Sequence, residues 1–119
     1  MKDMEWILVG VVVAFAVWKF MPVKGIEQLD VEGAKAKFKD RNVQFIDVRT
    51  PGEYRANHRK PFVNMPLSEI GKKAGTLKKD QDVVVICQSG MRSTSASKAL
   101  KKQGFTRIYN VKGGMNAWR

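Results

Sequence analysis

The chain has 119 residues, with 22 lysines and arginines against 11 aspartates and glutamates, and a formal net charge of +11. This length favours one globular domain, and the single cysteine excludes an intramolecular disulfide and fits a reducing compartment. The positive charge indicates an anionic partner. Because the basic residues are scattered and are not interleaved with aromatic ones, we expect no nucleic acid among the partners.

The first predicted element is the apolar stretch "WILVGVVVAFAVW", Trp6 to Trp18, which holds no charged residue. A membrane-spanning helix needs about 20 apolar residues, a length that is reached if Lys19 extends its amine to the interface. Tryptophans at both ends suit membrane interfaces, and Pro22 would end the helix. We therefore expect a transmembrane anchor over residues 1–22, in preference to a cleaved signal peptide, a buried helix or a strand.

The charges on the two sides of this stretch predict its orientation. One lysine precedes it, whereas Lys19, Lys24 and a basic domain follow it. The excess of positive charge on the cytoplasmic side of membrane proteins then predicts a single-pass membrane protein whose domain faces the cytoplasm. An anionic lipid surface is an expected partner of such a basic domain.

Beyond residue 23, predicted strands alternate with predicted helices. Residues 43–48 read as a strand, and the continuously apolar residues 82–87 read as a strand buried on both faces. "TRIYNV" reads as a last strand. The predicted helical segments are "DVEGAKAKFKD" capped by Asp30, "PGEYRANH", "PLSEIGKKA" capped by Ser68, "RSTSASKALKKQG" closed by Gly104, and "GGMNAWR". This alternation predicts an α/β domain over residues 23–119, with a parallel sheet covered on both faces.

Cys87 follows the buried strand and precedes the loop "QSGMR". In open parallel sheets, active sites lie beyond the carboxyl ends of the strands. A tight loop around Gly90, followed by the start of a helix, directs N–H groups inward, and such a cradle favours a thiolate, a persulfide or an oxyanion. Cys87 is therefore either a nucleophile or a buried core thiol. Arg92 would add charge, and Ser93 would cap the helix or contact a substrate.

Three segments carry a resemblance to the rhodanese sulfurtransferases. "CQSGMRS" resembles their active-site loop, "FIDVRTPGEY" at residues 45–54 resembles their DVR-x-P-x-E-[YF] segment, and "GFTRIYNVKGGMNAWR" at residues 104–119 resembles their closing segment, all in the family's order. The resemblance covers residues 23–119 and, with the apolar stretch, is similar to small membrane-anchored bacterial rhodaneses. It implies a rhodanese-like α/β fold with a central parallel sheet of about five strands and helices on both faces.

The resemblance implies a thiosulfate sulfurtransferase in which Cys87 takes a sulfane sulfur from a donor such as thiosulfate and passes it, as a persulfide, to an acceptor thiol or cyanide. It implies that the persulfide and the substrate are held by the loop residues Gln88, Ser89, Gly90, Met91, Arg92 and Ser93. No metal and no organic cofactor is expected. Because the chain has no second cysteine, the acceptor has to come from outside. We expect a monomer.

A second set of residues is expected to support the loop without reacting. Asp47 and Arg49 match family positions and are interpreted as a structural ion pair, and His58 as a hydrogen-bonding residue. Glu53 is interpreted as an acidic residue that favours a helix start. Arg59 lies in "NHRKPFVNMP", where the family has small residues, so it either adds positive charge beside the mouth of the site or is solvated.

Two other classes of function stay open from the sequence. A cysteine-based phosphatase or arsenate reductase is disfavoured, since the loop between Cys87 and Arg92 is shorter than the loop that wraps a phosphate in the related cysteine phosphatases. A non-catalytic module that senses sulfide or docks to a membrane partner is the alternative from another class. An intact cysteine loop argues for catalysis over this binding role.

Overall fold

The structure, a computed structural model, describes residues 2–20 and 25–118 of the chain. Its helices and strands, in chain order, are α1 (Lys2–Phe20), β1 (Ile26–Leu29), α2 (Val31–Ala36), β2 (Val43–Asp47), α3 (Pro51–Ala56), β3 (Val63–Asn64), α4 (Ile70–Lys73), β4 (Asp82–Ile86), α5 (Met91–Lys102), β5 (Ile108–Val111) and α6 (Gly114–Ala117). Short 3₁₀ turns at Leu67–Glu69 and Ala74–Thr76 flank α4.

The five strands form one sheet in the order β1-β5-β4-β2-β3, and every neighbouring pair is parallel. β4 is the central strand, with Val84 in register with Phe45 of β2 and with Tyr109 of β5. Its four apolar residues are 0% exposed, which is the environment that a continuously apolar strand requires. The predicted parallel α/β sheet is confirmed.

Alternate side chains of β4 enter two separate cores. Val83 and Val85 pack with residues of α4 and α5 on one face, and Val84 and Ile86 pack with residues of α2 and α6 on the other. Successive side chains of a strand point to opposite faces, so Cys87 continues the alternation on the α5 face. The strand thus delivers the cysteine to the same side of the sheet as the start of α5.

An aromatic cluster fixes the end of the chain against the second core. Trp118 stacks on Phe38 at 5.8 Å between ring centroids and meets Phe62 edge to face at 5.9 Å. Phe45 completes the cluster, with edge contacts of 5.3 Å to Phe38 and 5.4 Å to Phe62. Each such pair contributes about 1 kcal/mol beyond its buried area. The cluster therefore holds α6, which directly precedes Trp118, close to the sheet.

The predicted membrane span is contradicted. α1 runs over Lys2–Phe20, but among the described residues no helix is both long enough and apolar enough to cross a membrane. The uncharged stretch Trp6–Trp18 rises by only about 20 Å as a helix, whereas the hydrocarbon core of a bilayer is about 30 Å thick. A longer window takes in the charged residues on both sides of the stretch. The prediction of a single-pass membrane protein with its domain facing the cytoplasm is therefore wrong.

Several boundaries and caps can be compared with the sequence. Asp30 caps α2 by accepting the Gly33 N–H at 2.7 Å, and Gly104, with φ of 103°, follows the end of α5, so both predictions are confirmed. Ser68 caps nothing, because it lies inside a 3₁₀ turn that has no side-chain cap. The predicted stop at Pro22 and the boundary between residues 22 and 23 lie outside the described residues.

Candidate active site

Cys87 lies at the carboxyl end of β4, the central strand. It directly follows Ile86, the last residue of the strand, and its side chain is fully buried. The backbone of α6 holds the loop from the other side, because the Met115 N–H donates to the Cys87 carbonyl (2.8 Å) and the Asn116 N–H donates to the Gln88 carbonyl (3.0 Å). The cysteine is therefore fixed by both the strand and α6.

Two hydrogen-bonding groups reach the sulfur of Cys87. The Gly90 N–H donates to Sγ over 2.9 Å, and the Ser93 hydroxyl oxygen lies 3.3 Å from Sγ. Gly90 has a φ of 104°, a left-handed torsion that glycine adopts without strain. The tight turn places a loop N–H at the sulfur immediately before α5 begins at Met91, in agreement with the cradle predicted from the sequence.

The pKa of Cys87 results from opposing influences. Burial raises the pKa, whereas hydrogen bonds from the Ser93 side chain and from the backbone N–H groups of Ser93, Gly90 and Ser89 lower it. The hydrogen bonds prevail, so the pKa of the thiol lies below its ordinary value. A lowered pKa increases the fraction of thiolate at neutral pH, and the thiolate is the nucleophilic form of cysteine.

The remaining loop residues differ in exposure. Met91 is 79% exposed and Ser89 is exposed, so these two form the outer surface of the loop. Gln88 is half-buried, and its amide nitrogen donates to Asn116 Oδ1 over 2.6 Å. The structure thus brings the loop residues 88–93 together around Cys87. Their contact with a substrate stays a prediction.

Arg92, in the cysteine loop, is also bound to a residue of α3. Its guanidinium donates two hydrogen bonds to the Glu53 carboxylate, at 2.6 and 2.9 Å. The contact with Arg92 holds the pKa of Glu53 at about 2 and raises the pKa of Arg92. Glu53 also completes a capping box with Thr50 at the start of α3, which confirms its predicted position at a helix start. The ion pair therefore joins the cysteine loop to α3.

Asp47 and Arg49 form the predicted ion pair. Both are buried, and Arg49 Nη2 lies 2.8 Å from Asp47 Oδ2. Arg49 also donates to Gln88 Oε1 (3.3 Å) and to the Asn57 carbonyl (2.5 Å). The pair thus connects the end of β2 with the cysteine loop and with the segment that follows α3, as expected for residues that order the loops around a site.

His58 and Arg59 lie on the segment that follows α3. His58 Nδ1 is 2.8 Å from the Tyr54 carbonyl oxygen, and its ring stacks on the Tyr54 ring at 4.0 Å between centroids. His58 thus makes a hydrogen bond to the backbone of α3, while its support of the cysteine loop stays a prediction. The Arg59 carbonyl accepts the Phe62 N–H at 3.0 Å, and the Arg59 Nε is buried without a hydrogen-bond partner among the described residues.

The family of the chain follows from its match to a family profile. The profile described as "Rhodanese-like domain" matches residues 30–119, which include Cys87, its loop and both ion pairs. The chain belongs to the rhodanese-like domain family. The sequence resemblance is confirmed for the domain, and the rhodanese-like α/β fold with a parallel five-stranded sheet agrees with it.

Two relatives of this rhodanese-like domain carry sulfurtransferase names. A sulfurtransferase of Allochromatium vinosum is 33% identical over 94 residues, covering 78% of this chain and 88% of that protein. A thiosulfate sulfurtransferase of Vibrio cholerae is 30% identical over 90 residues, covering 76% of this chain and 85% of that protein. The chain spans only 51% and 62% of the length of two further relatives, both from Bacillus subtilis.

A solved structure of similar fold comes from Staphylococcus aureus. This rhodanese-like domain protein has a TM-score of 0.71 and 26% identity, over 78% of this chain and 91% of that one. The arrangement of sheet and helices described above is therefore shared with a rhodanese-like domain over most of the chain.

The sequence analysis missed Asn110, a residue of β5 that contacts the cysteine loop of this rhodanese-like domain. Asn110 of β5 is 2% exposed and meets the Ser93 hydroxyl through its Oδ1. Its signal in the sequence is an amide between Tyr109 and Val111 of the strand "IYNV", since a buried amide requires partners. Gly114, whose place in the closing segment "KGGMNAWR" indicates a structural, close-packed glycine, packs against the Cys87 carbonyl.

The described residues hold no group of three or more histidine, cysteine, aspartate or glutamate side chains that could bind a metal ion. The expectation that this rhodanese-like domain needs no metal and no organic cofactor stays a prediction. The same holds for the monomeric state and for the anionic lipid surface as a partner.

Proposed function

We propose that the protein is a sulfurtransferase that moves a sulfane sulfur from a donor such as thiosulfate to an external thiol or to cyanide, through a persulfide on Cys87. The observation that carries this proposal is the hydrogen-bonded sulfur, with the Gly90 N–H at 2.9 Å and the Ser93 oxygen at 3.3 Å. The names of the Allochromatium and Vibrio relatives support the same class of reaction.

The first step is attack of the Cys87 thiolate on the outer sulfur of the donor. A bond forms between Sγ and this sulfur while the S–S bond of thiosulfate breaks, and sulfite leaves with the bonding electron pair. The lowered pKa of Cys87 supplies the thiolate without a separate base. No oxidant or reductant is consumed, because the sulfane sulfur is transferred at its own oxidation level.

The second step is attack of an acceptor thiolate or cyanide on the terminal sulfur of the persulfide. The Sγ–S bond breaks and Cys87 leaves as a thiolate, which the hydrogen bonds from Gly90 and Ser93 stabilise. A sulfur with a lowered pKa is also the better leaving group. Because the chain has one cysteine, no internal thiol competes with the external acceptor.

The test is an intact-mass measurement of the full chain after incubation with thiosulfate. We expect a gain of about 32 mass units, one sulfur atom, that cyanide or dithiothreitol removes. Glutathione persulfide serves as a second donor and reports whether thiosulfate itself is accepted. If the mass increases with glutathione persulfide but not with thiosulfate, the protein transfers sulfur but thiosulfate is not its donor.

The matched control is Cys87→Ser, which keeps the size of the side chain and removes the nucleophile. This variant is expected to gain no mass with either donor. If the wild-type chain also gains none, the sulfurtransferase proposal fails, and the non-catalytic binding module becomes the better interpretation.

A further inference from the structure

The hydroxyl group of Ser93 has one proton to donate, but three hydrogen-bond acceptors lie next to it. Ser93 is fully buried, and its Oγ lies 3.3 Å from Cys87 Sγ and 3.0 Å from the Gly90 carbonyl oxygen, and makes a third, very short contact with Asn110 Oδ1. A serine hydroxyl has one O–H donor and two lone pairs. Only one of the three neighbours can therefore receive the proton of this hydroxyl at a time.

The orientation of the Asn110 amide is set by its other contacts. Its Nδ2 donates to Gln28 Oε1 and to Thr94 Oγ1, each at 3.1 Å. Thr94 Oγ1 donates its own proton to the Gly90 carbonyl at 2.7 Å, so it offers only lone pairs to Asn110. The amide oxygen of Asn110 therefore faces Ser93 as an acceptor.

The Gly90 carbonyl is the weakest of the three competitors. It already accepts the Thr94 hydroxyl at 2.7 Å and the Thr94 N–H at 3.2 Å, which occupy both of its lone pairs. The competition for the proton of Ser93 is therefore between Cys87 and Asn110.

We propose that Asn110 is a positioning residue that acts on Cys87 through Ser93. Its amide oxygen accepts the hydrogen bond of the Ser93 hydroxyl when the sulfur is uncharged, and the hydroxyl turns to donate to the sulfur when the thiolate forms. The hydroxyl only rotates, and its proton stays bonded to Oγ. A charged acceptor outcompetes a neutral amide, because hydrogen bonds to ions are about twice as strong. Asn110 thus opposes formation of the thiolate.

This inference deepens the proposed sulfur transfer and rests on it for one further step. When the persulfide forms, the negative charge moves to the terminal sulfur, and Sγ becomes a neutral sulfur with two covalent bonds. The Ser93 hydroxyl then returns to Asn110. When the acceptor takes the terminal sulfur, the hydroxyl rotates back and stabilises Cys87 as the leaving thiolate.

Other charged groups act on the same sulfur and have to stay constant in a test. Arg92 of the loop interacts with Cys87 and is paired with Glu53 from α3, and the Asp47–Arg49 pair lies at the end of β2. The variants chosen below leave all of these residues in place.

The test is the pH profile of Cys87 alkylation by iodoacetamide in the full chain. Asn110→Ala removes the competing acceptor, so we expect a lower pKa of Cys87 and, below the wild-type midpoint, a rate about threefold higher. Ser93→Ala removes the donor, so we expect a higher pKa and a rate about tenfold lower. The double variant is expected to match Ser93→Ala, because Asn110 acts only through Ser93.

Two further variants separate this role from a merely structural one. Asn110→Leu keeps the branched shape of the side chain without an acceptor, and it has to shift the profile in the same direction as Asn110→Ala. Ser97→Ala is the matched serine control, since the Ser97 hydroxyl is buried in α5 and donates to the Ser93 carbonyl at 2.7 Å, away from the sulfur. Its profile is expected to coincide with that of the wild type.

An unchanged or raised pKa in both Asn110 variants would overturn the inference, and a raised one would mean that the amide donates to Ser93. A double variant that differs from Ser93→Ala would also overturn it. The alkylation profile needs no sulfur donor. If the chain gains no sulfur from a donor, the proposed function fails, but the role of Asn110 in the alkylation profile is unaffected. If the Asn110 variants leave the profile unchanged, the role of Asn110 fails, but the proposed sulfur transfer is unaffected.

Discussion

The positive charge of Arg92 is shared between a carboxylate and the cysteine loop. Two of its N–H groups bind Glu53, which raises the pKa of Arg92, and its charge also acts on Cys87. An arginine bound in this fork geometry is held in place more firmly than by a single contact. Glu53 therefore fixes where the charge of Arg92 lies relative to the sulfur, while it neutralises part of that charge.

Glu53→Gln tests the contribution of this ion pair to stability. The contact with Arg92 lowers the pKa of Glu53 from 4.5 to about 2, so the ionised carboxylate stabilises the fold above pH 4.5 and this stabilisation is lost as the pH falls towards 2. Because both side chains are about one-third exposed, solvent screening reduces the effect, and we expect Glu53→Gln to cost about 1 kcal/mol at pH 7. Urea unfolding of both proteins measures this difference.

Urea unfolding of the same two proteins at lower pH shows in which direction their stability difference changes. The difference between wild type and Glu53→Gln is expected to shrink steadily from pH 5 to pH 3. Glu69→Gln serves as the control for loss of a carboxylate, since Glu69 pairs with Lys73 at 3.0 Å on the exposed side of α4. A Glu53→Gln difference that stays constant over this range would contradict the role assigned to Arg92.

The buried pair of Asp47 and Arg49 acts by position more than by energy. Taking two charges out of water costs about as much as their attraction returns, so such a pair adds little net stability. Its geometry, however, leaves Arg49 free to bind both Gln88 and the Asn57 carbonyl. Two loops from different strands are thereby held at fixed positions beside the sulfur.

At the scale of the elements, α6 controls the shape of the cysteine loop through its backbone. Gly114, the first residue of α6, has a φ of 57° and packs so closely that a Cβ there would lie 2.2 Å from the Cys87 carbonyl oxygen. The Met115 N–H donates to that same oxygen. The approach of the helix and the hydrogen bond therefore depend on the absence of a side chain at one residue.

Gly114→Ala is expected to destabilise the fold by about 2–4 kcal/mol, from the strained torsion and the clash with backbone atoms together. It is also expected to slow alkylation of Cys87, because the loop has to move. Gly71→Ala is the matched control, since a Cβ at Gly71 meets nothing within 4 Å and alanine favours the helix. Urea unfolding and the alkylation rate measure both effects, and equal behaviour of the two variants would contradict the proposed contact.

The sequence predicts the elements that a strong local pattern specifies. The apolar run of β4, the strand β2 and the helix α5 with Gly104 after its end are found within a few residues of their predicted bounds. β1 has two exposed polar residues in "IEQL", and β3 has two residues that are defined by pairing with β2. Neither carries a local signal, because pairing with distant strands creates them.

In the site, too, the sequence predicts the local features, and the contacts between distant residues come from the fold. The loop around Cys87 is recognisable because its residues are consecutive, and the Asp47–Arg49 pair because its residues are nearly so. The contacts of Arg92 with Glu53 and of Ser93 with Asn110 join residues far apart in the chain, so only the fold brings them together. The apolar stretch and its flanking tryptophans predict a membrane span, but no helix among the described residues is long and apolar enough to form one.

At the scale of the whole molecule, part of the positive charge lies on the segment that contacts the cysteine loop. The chain carries a net charge of +11, and the exposed Arg55 and Lys60 lie on and after α3. This segment is tied to the cysteine loop, because Arg49 binds both the Asn57 carbonyl and Gln88. A positive field near the loop raises the local concentration of anions and the rate at which they arrive. We therefore expect this field to favour an anionic reagent over a neutral one.

Salt separates this field from the chemistry of the thiolate. Surface charges are screened beyond about 10 Å at 0.1 M ionic strength, so we expect kcat/KM for thiosulfate to fall about tenfold between 0.02 and 0.5 M salt. Alkylation by neutral iodoacetamide, measured at a pH where Cys87 is fully ionised, is expected to change little. If both reactions respond equally to salt, the effect lies in the thiolate itself and steering is excluded. Lys60→Ala should reduce the salt dependence for thiosulfate alone, because it removes exposed charge without touching the hydrogen bonds of the sulfur.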